Sequence, residues 1–181
     1  MKKLLFVTVV FLLAMVTLVP AYAEITGKTW LGTTYRGRDE YYGDDVNAYE
    51  TGTTAVLAVT VRNREGFAIN VTKVYMTFDW NLNYTSTQVN ATNPETLKNN
   101  EVRVFFISFQ VPSTTVASNL YVHSYIIVAE YSYPNATKPS QILKGFYELF
   151  DDDFAIYSGD QADAVDYNRI VSGLSPPPGG W

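Results

Sequence analysis

Cysteine is absent from this 181-residue chain, and histidine occurs once, at His123. Without thiols no disulfide can staple the fold, so stability must come from packing or from assembly with other subunits. One imidazole and no thiolate leave no ligand set for a zinc or haem centre. Basic residues are also scarce, with 13 Lys and Arg against 18 Asp and Glu, and they form no cluster. Nucleic acid and anionic membrane surfaces are therefore poor partners. Gly-x-Ser-x-Gly and glycine-rich phosphate loops are missing as well, and His123 lies in an apolar stretch where it reads as a packed residue rather than a base. Carboxylate pairs for glycoside hydrolysis leave no local signature, but nothing else points to catalysis, and the chain is expected not to be an enzyme.

What is present begins at the amino terminus. Lys2 and Lys3 precede an uncharged apolar run, Leu4–Val19, and Pro20-Ala21-Tyr22-Ala23 follows. Ala21 and Ala23 fit the small-x-small pattern that a signal peptidase reads, so residues 1–23 read as a secretory signal cleaved before Glu24. The run is shorter than the roughly 20 residues a spanning helix needs. Loss of Lys2 and Lys3 leaves 11 basic against 18 acidic side chains, a mature net charge of about −7. After the leader no apolar run is long enough to span a membrane, and there is no Leu-Pro-x-Thr-Gly sorting signal. The mature chain is thus expected to be secreted, soluble or held at the cell surface by protein contacts, with no membrane segment of its own.

The rest reads as strands. Thr54–Arg62 places Ala55, Leu57, Val59 and Val61 on one face and Thr54, Thr60 and Arg62 on the other. Asn70–Trp80 alternates Val74, Met76, Phe78 and Trp80 with Lys73, Tyr75, Thr77 and Asp79. Val102–Val111 changes phase near Phe105-Phe106, which predicts a bulge or a strand buried on both faces. Leu120–Tyr131 alternates Leu120, Val122, Ile126 and Val128 with Tyr121, His123, Tyr125 and Ile127, and strands are also expected at Ile25–Tyr35 and Gly145–Tyr157. Turn-forming segments separate them: Asn63-Arg64-Glu65-Gly66, Asn93-Pro94, Pro112-Ser113 and Pro134-Asn135. The pattern predicts an all-β fold, an antiparallel Ig-like β-sandwich over residues 24–157, with a mixed α+β fold as the alternative. Ala164, Tyr167, Val171 and Leu174 make an apolar stripe for a short helix at 158–175, and the Pro/Gly-rich residues 176–181 form an extended tail.

Candidate sites are few. Sequons occur at Asn70, Asn83, Asn90 and Asn135, each with Thr at the third position, and are candidate glycosylation sites. Asp151-Asp152-Asp153 opens the densest acidic stretch, and Asp151, Asp153 and Asp160 are the candidate ligands for calcium, the hard cation such oxygens would take. EF-hand spacing is lacking, so a solvated acidic edge is the favoured alternative, and no other cofactor is expected. Tyr41-Tyr42-Gly43-Asp44-Asp45 is a weaker acidic loop. Tyr121, Tyr125, Tyr131 and Tyr133 share one strand face, either as a platform for glycans or proteins or as ordinary outward tyrosines.

Leader, TAVLAVTVRN, NVTKVYMTFDW and NNEVRVFFISFQVPSTTVASNLYVHSYIIVAEY together resemble the Ig-like sandwich of archaeal secreted, S-layer-associated proteins. The likeness spans Thr53–Ile156, with Phe109-Gln110-Val111-Pro112-Ser113-Thr114-Thr115 as its most similar stretch. Relatives often continue into a coiled coil and a membrane anchor, whereas this chain stops at Trp181. The same package is similar to subunits of archaeal extracellular threads and bundling pili, which polymerise by donating a terminal strand. The resemblance implies a cell-surface structural or adhesion protein, with copies of itself or surface-layer proteins as partners. In a filament, Glu24–Tyr35 would be the donated strand, adding to the open edge of the next sandwich. The competing expectation is an extracellular carbohydrate-binding module.

Overall fold

The computed structural model describes residues 24–32, 35–38, 45–113, 115–117 and 122–157. The expected signal at 1–23, the helix at 158–175 and the tail at 176–181 lie outside them. Every regular element among the described residues is a strand. In chain order these are β1 (Glu24–Leu31), β2 (Tyr35–Arg38), β3 (Asp45–Glu50), β4 (Thr54–Arg62), β5 (Ile69–Phe78), β6 (Asn83–Thr85), β7 (Glu95–Leu97), β8 (Val102–Gln110), β9 (Val122–Pro134) and β10 (Ile142–Tyr157).

The strands form two sheets. One runs β1-β4-β8; the other runs β2-β3-β10-β9-β5-β6, with β7 also on β5. All pairings are antiparallel except β3 with β10. Two face-to-face, mostly antiparallel sheets that share the chain in this interleaved way, with β1, β4 and β8 in one and the remaining strands in the other, make an Ig-like sandwich. The inner faces meet in one apolar core. Ala55, Leu57, Val59 and Val61 of β4 and Phe105, Ile107 and Phe109 of β8 face Val74, Met76 and Phe78 of β5 and Tyr125, Ile127 and Ala129 of β9. Trp30 of β1 is the aromatic centre, with ring centroids of Phe154, Tyr125, Tyr49, Phe109 and Phe78 between 4.7 and 6.5 Å away.

β4 follows its predicted faces residue for residue. The turn after it also forms: buried Asn63 donates through Nδ2 to the carbonyls of Phe67 and Leu97, and its Oδ1 accepts from the Glu65 amide. Gly66 closes that turn at φ 80°, a left-handed geometry that a Cβ disfavours.

Two expectations need correction. β8 pairs with β4 in unbroken register, without a bulge. Its phase change is instead an apolar outer face: Val102, Val104 and Phe106 point away from the core and are 42–44% exposed. In β9 the faces are reversed. His123, Tyr125, Ile127 and Tyr131 point inward, while Val122, Ile126 and Val128 face outward. Tyr125 and Tyr131 can be buried because their hydroxyls find carboxylates inside. Bulges do occur, but in β1 between Ile25 and Gly27, in β5 between Val71 and Lys73, and in β10 between Asp151 and Phe154.

Tyr131 also stacks on Tyr147, centroids 4.4 Å apart, and its ring covers Gly145 directly across the ladder. A Cβ on Gly145 would lie 2.4 Å from the Tyr131 ring. Gly145→Ala is therefore expected to swing the phenol off Glu65 and cost about 1–2 kcal/mol, the loss of a charge-assisted bond and a stacking contact. Urea unfolding checks it; an unchanged midpoint would show that the ring is not held there.

Candidate functional site

Two places in the sandwich concentrate chemistry. The first is a seam between β1 and β10. The bulge after Ile25 resets the parity of β1, so that Lys28 and Trp30, like Ile25, point inward. In β10 Asp151 and Asp153 keep the inward parity of Tyr147, and the bulge that follows turns Phe154 and Ile156 into the core as well. Lys28 Nζ then lies 2.7 Å from Asp151 Oδ2 and 2.6 Å from Asp153 Oδ2. These side chains retain only 14%, 29% and 16% of their exposure.

Asp153 is the hub. Its Oδ1 accepts from the Tyr125 hydroxyl and from Trp30 Nε1 at 3.0 Å, and its Oδ2 accepts from Asn47 Nδ2 at 3.0 Å as well as from Lys28. Tyr125 further accepts from Lys28 at 2.6 Å and from Trp30 at 3.1 Å. Burial, reinforced by the charge of Asp153 and the hydrogen bond to it, holds the Tyr125 phenol far above its ordinary range, so its proton stays in place. Five elements' worth of apolar packing surrounds this cluster, and one cation is shared between two carboxylates.

That arrangement locates the expected calcium ligands. Asp151 and Asp153 do converge, but the Lys28 ammonium sits between them, and a metal ion would have to displace it. Asp160 lies outside the described residues. Among the described residues no three His, Cys, Asp or Glu side chains gather as a metal site.

The second place is the outer face of the larger sheet. Ladder registers put its side chains in rows across β5, β9 and β10: Lys73–Glu130–Phe146, Tyr75–Val128–Glu148 and Thr77–Ile126–Phe150. Along β10 this face reads Ile142, Lys144, Phe146, Glu148, Phe150, and its three apolar members are 59–63% exposed. With the segment Thr85–Ala91 as one wall, the face forms an open concavity of about 1190 Å³. Lys73 Nζ lies 4.2 Å over the Tyr75 ring. Partial burial and the charges of Glu130 and Glu148 raise the Tyr75 phenol above its usual value.

The remaining candidates scatter. Asn90 and Asn135 sit in exposed turns, each accepting at Oδ1 from its own sequon threonine, Thr92 at 2.7 Å and Thr137 at 2.9 Å. Asn70 and Asn83 lie in β5 and β6, where Thr96 and Thr77 donate to them. His123 is buried, with Nδ1 3.0 Å from the Asp79 carboxylate and its ring edge-on to Trp80. Of the tyrosine stripe, Tyr121 lies outside the described residues, Tyr125 and Tyr131 are core residues, and Tyr133 packs on Phe67. Beneath that end of the sheet, Glu65 accepts from Tyr131 at 2.7 Å and Tyr147 at 3.3 Å. Burial first, then Glu65, pushes the Tyr131 phenol up to about 12.

Sequence reading missed the Lys28 seam and the Phe146–Phe150 row. Parity held the signal for both. Asp151 and Asp153 share parity with buried Tyr147, and a carboxylate pair on an inward face requires a cation. Phe146 and Phe150 share parity with Lys144 and Glu148, which marks an outward apolar row.

No family model matches the chain, and no curated protein matches it in sequence. Among solved structures it is similar to the ASH/PapD-like domain 7 of human CEP192, at 8% identity and a TM-score of 0.27, over 67% of this chain and 84% of that one. It is also similar to a protein from Archaeoglobus fulgidus, at 12% identity and a TM-score of 0.31, over 72% of this chain and 97% of that one.

Proposed function

We propose that this chain is a non-catalytic extracellular structural or adhesion protein that binds protein partners through the outer face of its larger sheet. The exposed row Ile142, Phe146 and Phe150 carries this reading. Sheet faces that end in water normally carry polar residues, and three large apolar side chains more than half exposed among Lys144 and Glu148 mark an interface. Phenylalanine and isoleucine bring apolar area without a polar handle, which suits a protein surface better than a sugar. Val102, Val104 and Phe106 give the smaller sheet its own apolar face on the opposite side of the sandwich. Two unlike patches on opposite faces suit head-to-tail contact between copies, the geometry that propagates into a filament. The leader-like residues 1–23 support delivery to the cell surface.

Face contact fits the molecule better than strand donation. β1 is paired at home with β4, and its release would withdraw Trp30 from the core and Lys28 from two carboxylates. The test uses residues 24–181 and the double variant Phe146→Ser/Phe150→Ser. Wild type should form filaments or larger species by electron microscopy and light scattering, and the variant should remain monomeric. A wild type that stays monomeric and binds no surface-layer preparation would overturn the proposal.

A carbohydrate-binding module is the second reading. Glu130 and Glu148 flank Tyr75 on the same face, a polar set that could hold sugar hydroxyls. Saturable retention by a soluble polysaccharide, lost in Tyr75→Ala, would favour it.

A further inference from the structure

The Lys28 seam has the composition of a reactive site as well as of an ion pair. An amine and a carboxyl group are held in contact, a second carboxylate touches the same amine, and two neutral donors point at one oxygen of the first carboxylate. We propose that Lys28 and Asp153 condense spontaneously into an intramolecular amide that ties β1 to β10.

The geometry assigns each group a part. Lys28 Nζ is 2.7 Å from Asp151 Oδ2, which takes a proton from the ammonium and leaves a nucleophilic amine. That nitrogen is already in contact with the carboxyl group it attacks, 2.6 Å from Asp153 Oδ2, so the two reactants are held together by the fold. Asp151 passes that proton to Asp153 Oδ2, and attack of the amine on Cγ of the now neutral carboxyl forms the Nζ–Cγ bond and places negative charge on Oδ1. Tyr125 O–H and Trp30 Nε1–H donate to that atom, the latter at 3.0 Å, so they act as an oxyanion hole. A second proton then moves from the nitrogen to Oδ2, Oδ1 re-forms its double bond to Cγ, and the Cγ–Oδ2 bond breaks to release water. Of the three ammonium protons, one stays on the amide and two leave with Oδ2 as water. No oxidant, metal or cofactor enters the balance.

The surroundings favour the product. A buried ion pair bears a large desolvation cost that a neutral amide does not. Trp30, Tyr125 and Phe154 screen the site from the water that would reverse the step. A chain without cysteine would thereby gain one covalent tie, between its first and its last described strands. Closing so long a loop restricts the unfolded chain as a disulfide does. The inference is independent of what the outer sheet face binds.

The test is mass spectrometry of residues 24–181 produced without glycosylation and digested with trypsin after denaturation. The bond lowers the intact mass by one water. It also blocks cleavage after Lys28, so that residues 24–36 emerge joined to residues 145–169. Asp153→Ala should restore the linear mass and the cut at Lys28. Asp151→Asn should lose the bond and Asp151→Glu should regain it; undiminished bonding in Asp151→Asn removes Asp151 from the step. Wild type at its full linear mass, with Lys28 cleaved, overturns the proposal.

Discussion

Trp30→Ala should destabilise the sandwich by about 3–5 kcal/mol, the range for truncating a fully packed aromatic side chain. The indole is 4% exposed and touches rings from β3, β5, β8, β9 and β10, so it joins both sheets through their shared core. Its removal opens a cavity that neither sheet can fill without breaking ladder register. It also removes one of the two donors to Asp153 Oδ1. Against a total of about 5–15 kcal/mol, the variant should unfold at a midpoint lower by roughly 10 °C or fail to fold at all. Trp30→Phe separates the two contributions. It keeps most of the ring packing and loses the N–H donor, so it should cost about 1–3 kcal/mol. A midpoint within error of wild type for Trp30→Ala would mean that β1 is not part of the folded core.

That outcome would also reopen strand donation, because a donated β1 must leave its own domain cheaply. Trp30 thus separates the two routes of assembly. With the indole in place, contact through sheet faces leaves every core residue undisturbed, whereas exchange has to empty the centre of the sandwich.

The readable parts of the fold share one property, a single apolar face opposed by a polar one. β4 and most of β5 have it, and their inward residues follow from alternation alone. β9 does not. Ile126 and Val128 are as apolar as Ile127 and Ala129, so alternation leaves two phases open, and tyrosine's preference for sheet surfaces selects the wrong one. Only the partner carboxylates, Asp153 for Tyr125 and Glu65 for Tyr131, make burial of those phenols favourable, and they lie 28 and 66 positions away. β3 was hidden for another reason. Asp45–Glu50 is short and follows the acidic loop Tyr41–Asp45, and its strand character depends on parallel pairing with β10, more than a hundred residues later. Bulges obscured the rest. Each adds one residue and inverts parity, so β1 and β10 look irregular although their inward sets are continuous in space. Lys28 meets Asp151 and Asp153 because the insertion in β1 turns it to the inward side.

Asp153→Ala should be the most damaging single change at that meeting point, at about 3–5 kcal/mol. It strips acceptors from Lys28, Trp30, Asn47 and Tyr125 together, and buried donors left without partners each carry a desolvation cost. Asp151→Ala should cost less, because Asp151 is more exposed and Lys28 keeps Asp153. The double variant Lys28→Met/Asp153→Leu should recover much of the loss, since it removes cation and anion together and fills the volume with apolar atoms. Denaturant unfolding of wild type, Lys28→Met, Asp153→Leu and the double variant forms a coupled set. Strong recovery in the double variant identifies the penalty with an orphaned charge. Failure to recover would instead trace it to the donors Trp30, Tyr125 and Asn47, whose hydrogen bonds an aliphatic side chain cannot replace, or to loss of the proposed Lys28–Asp153 amide, which the intact mass of wild type tells apart. Either result fixes what Asp153 does for this sandwich: it lets a polar knot sit where two sheets would otherwise meet as bare hydrocarbon.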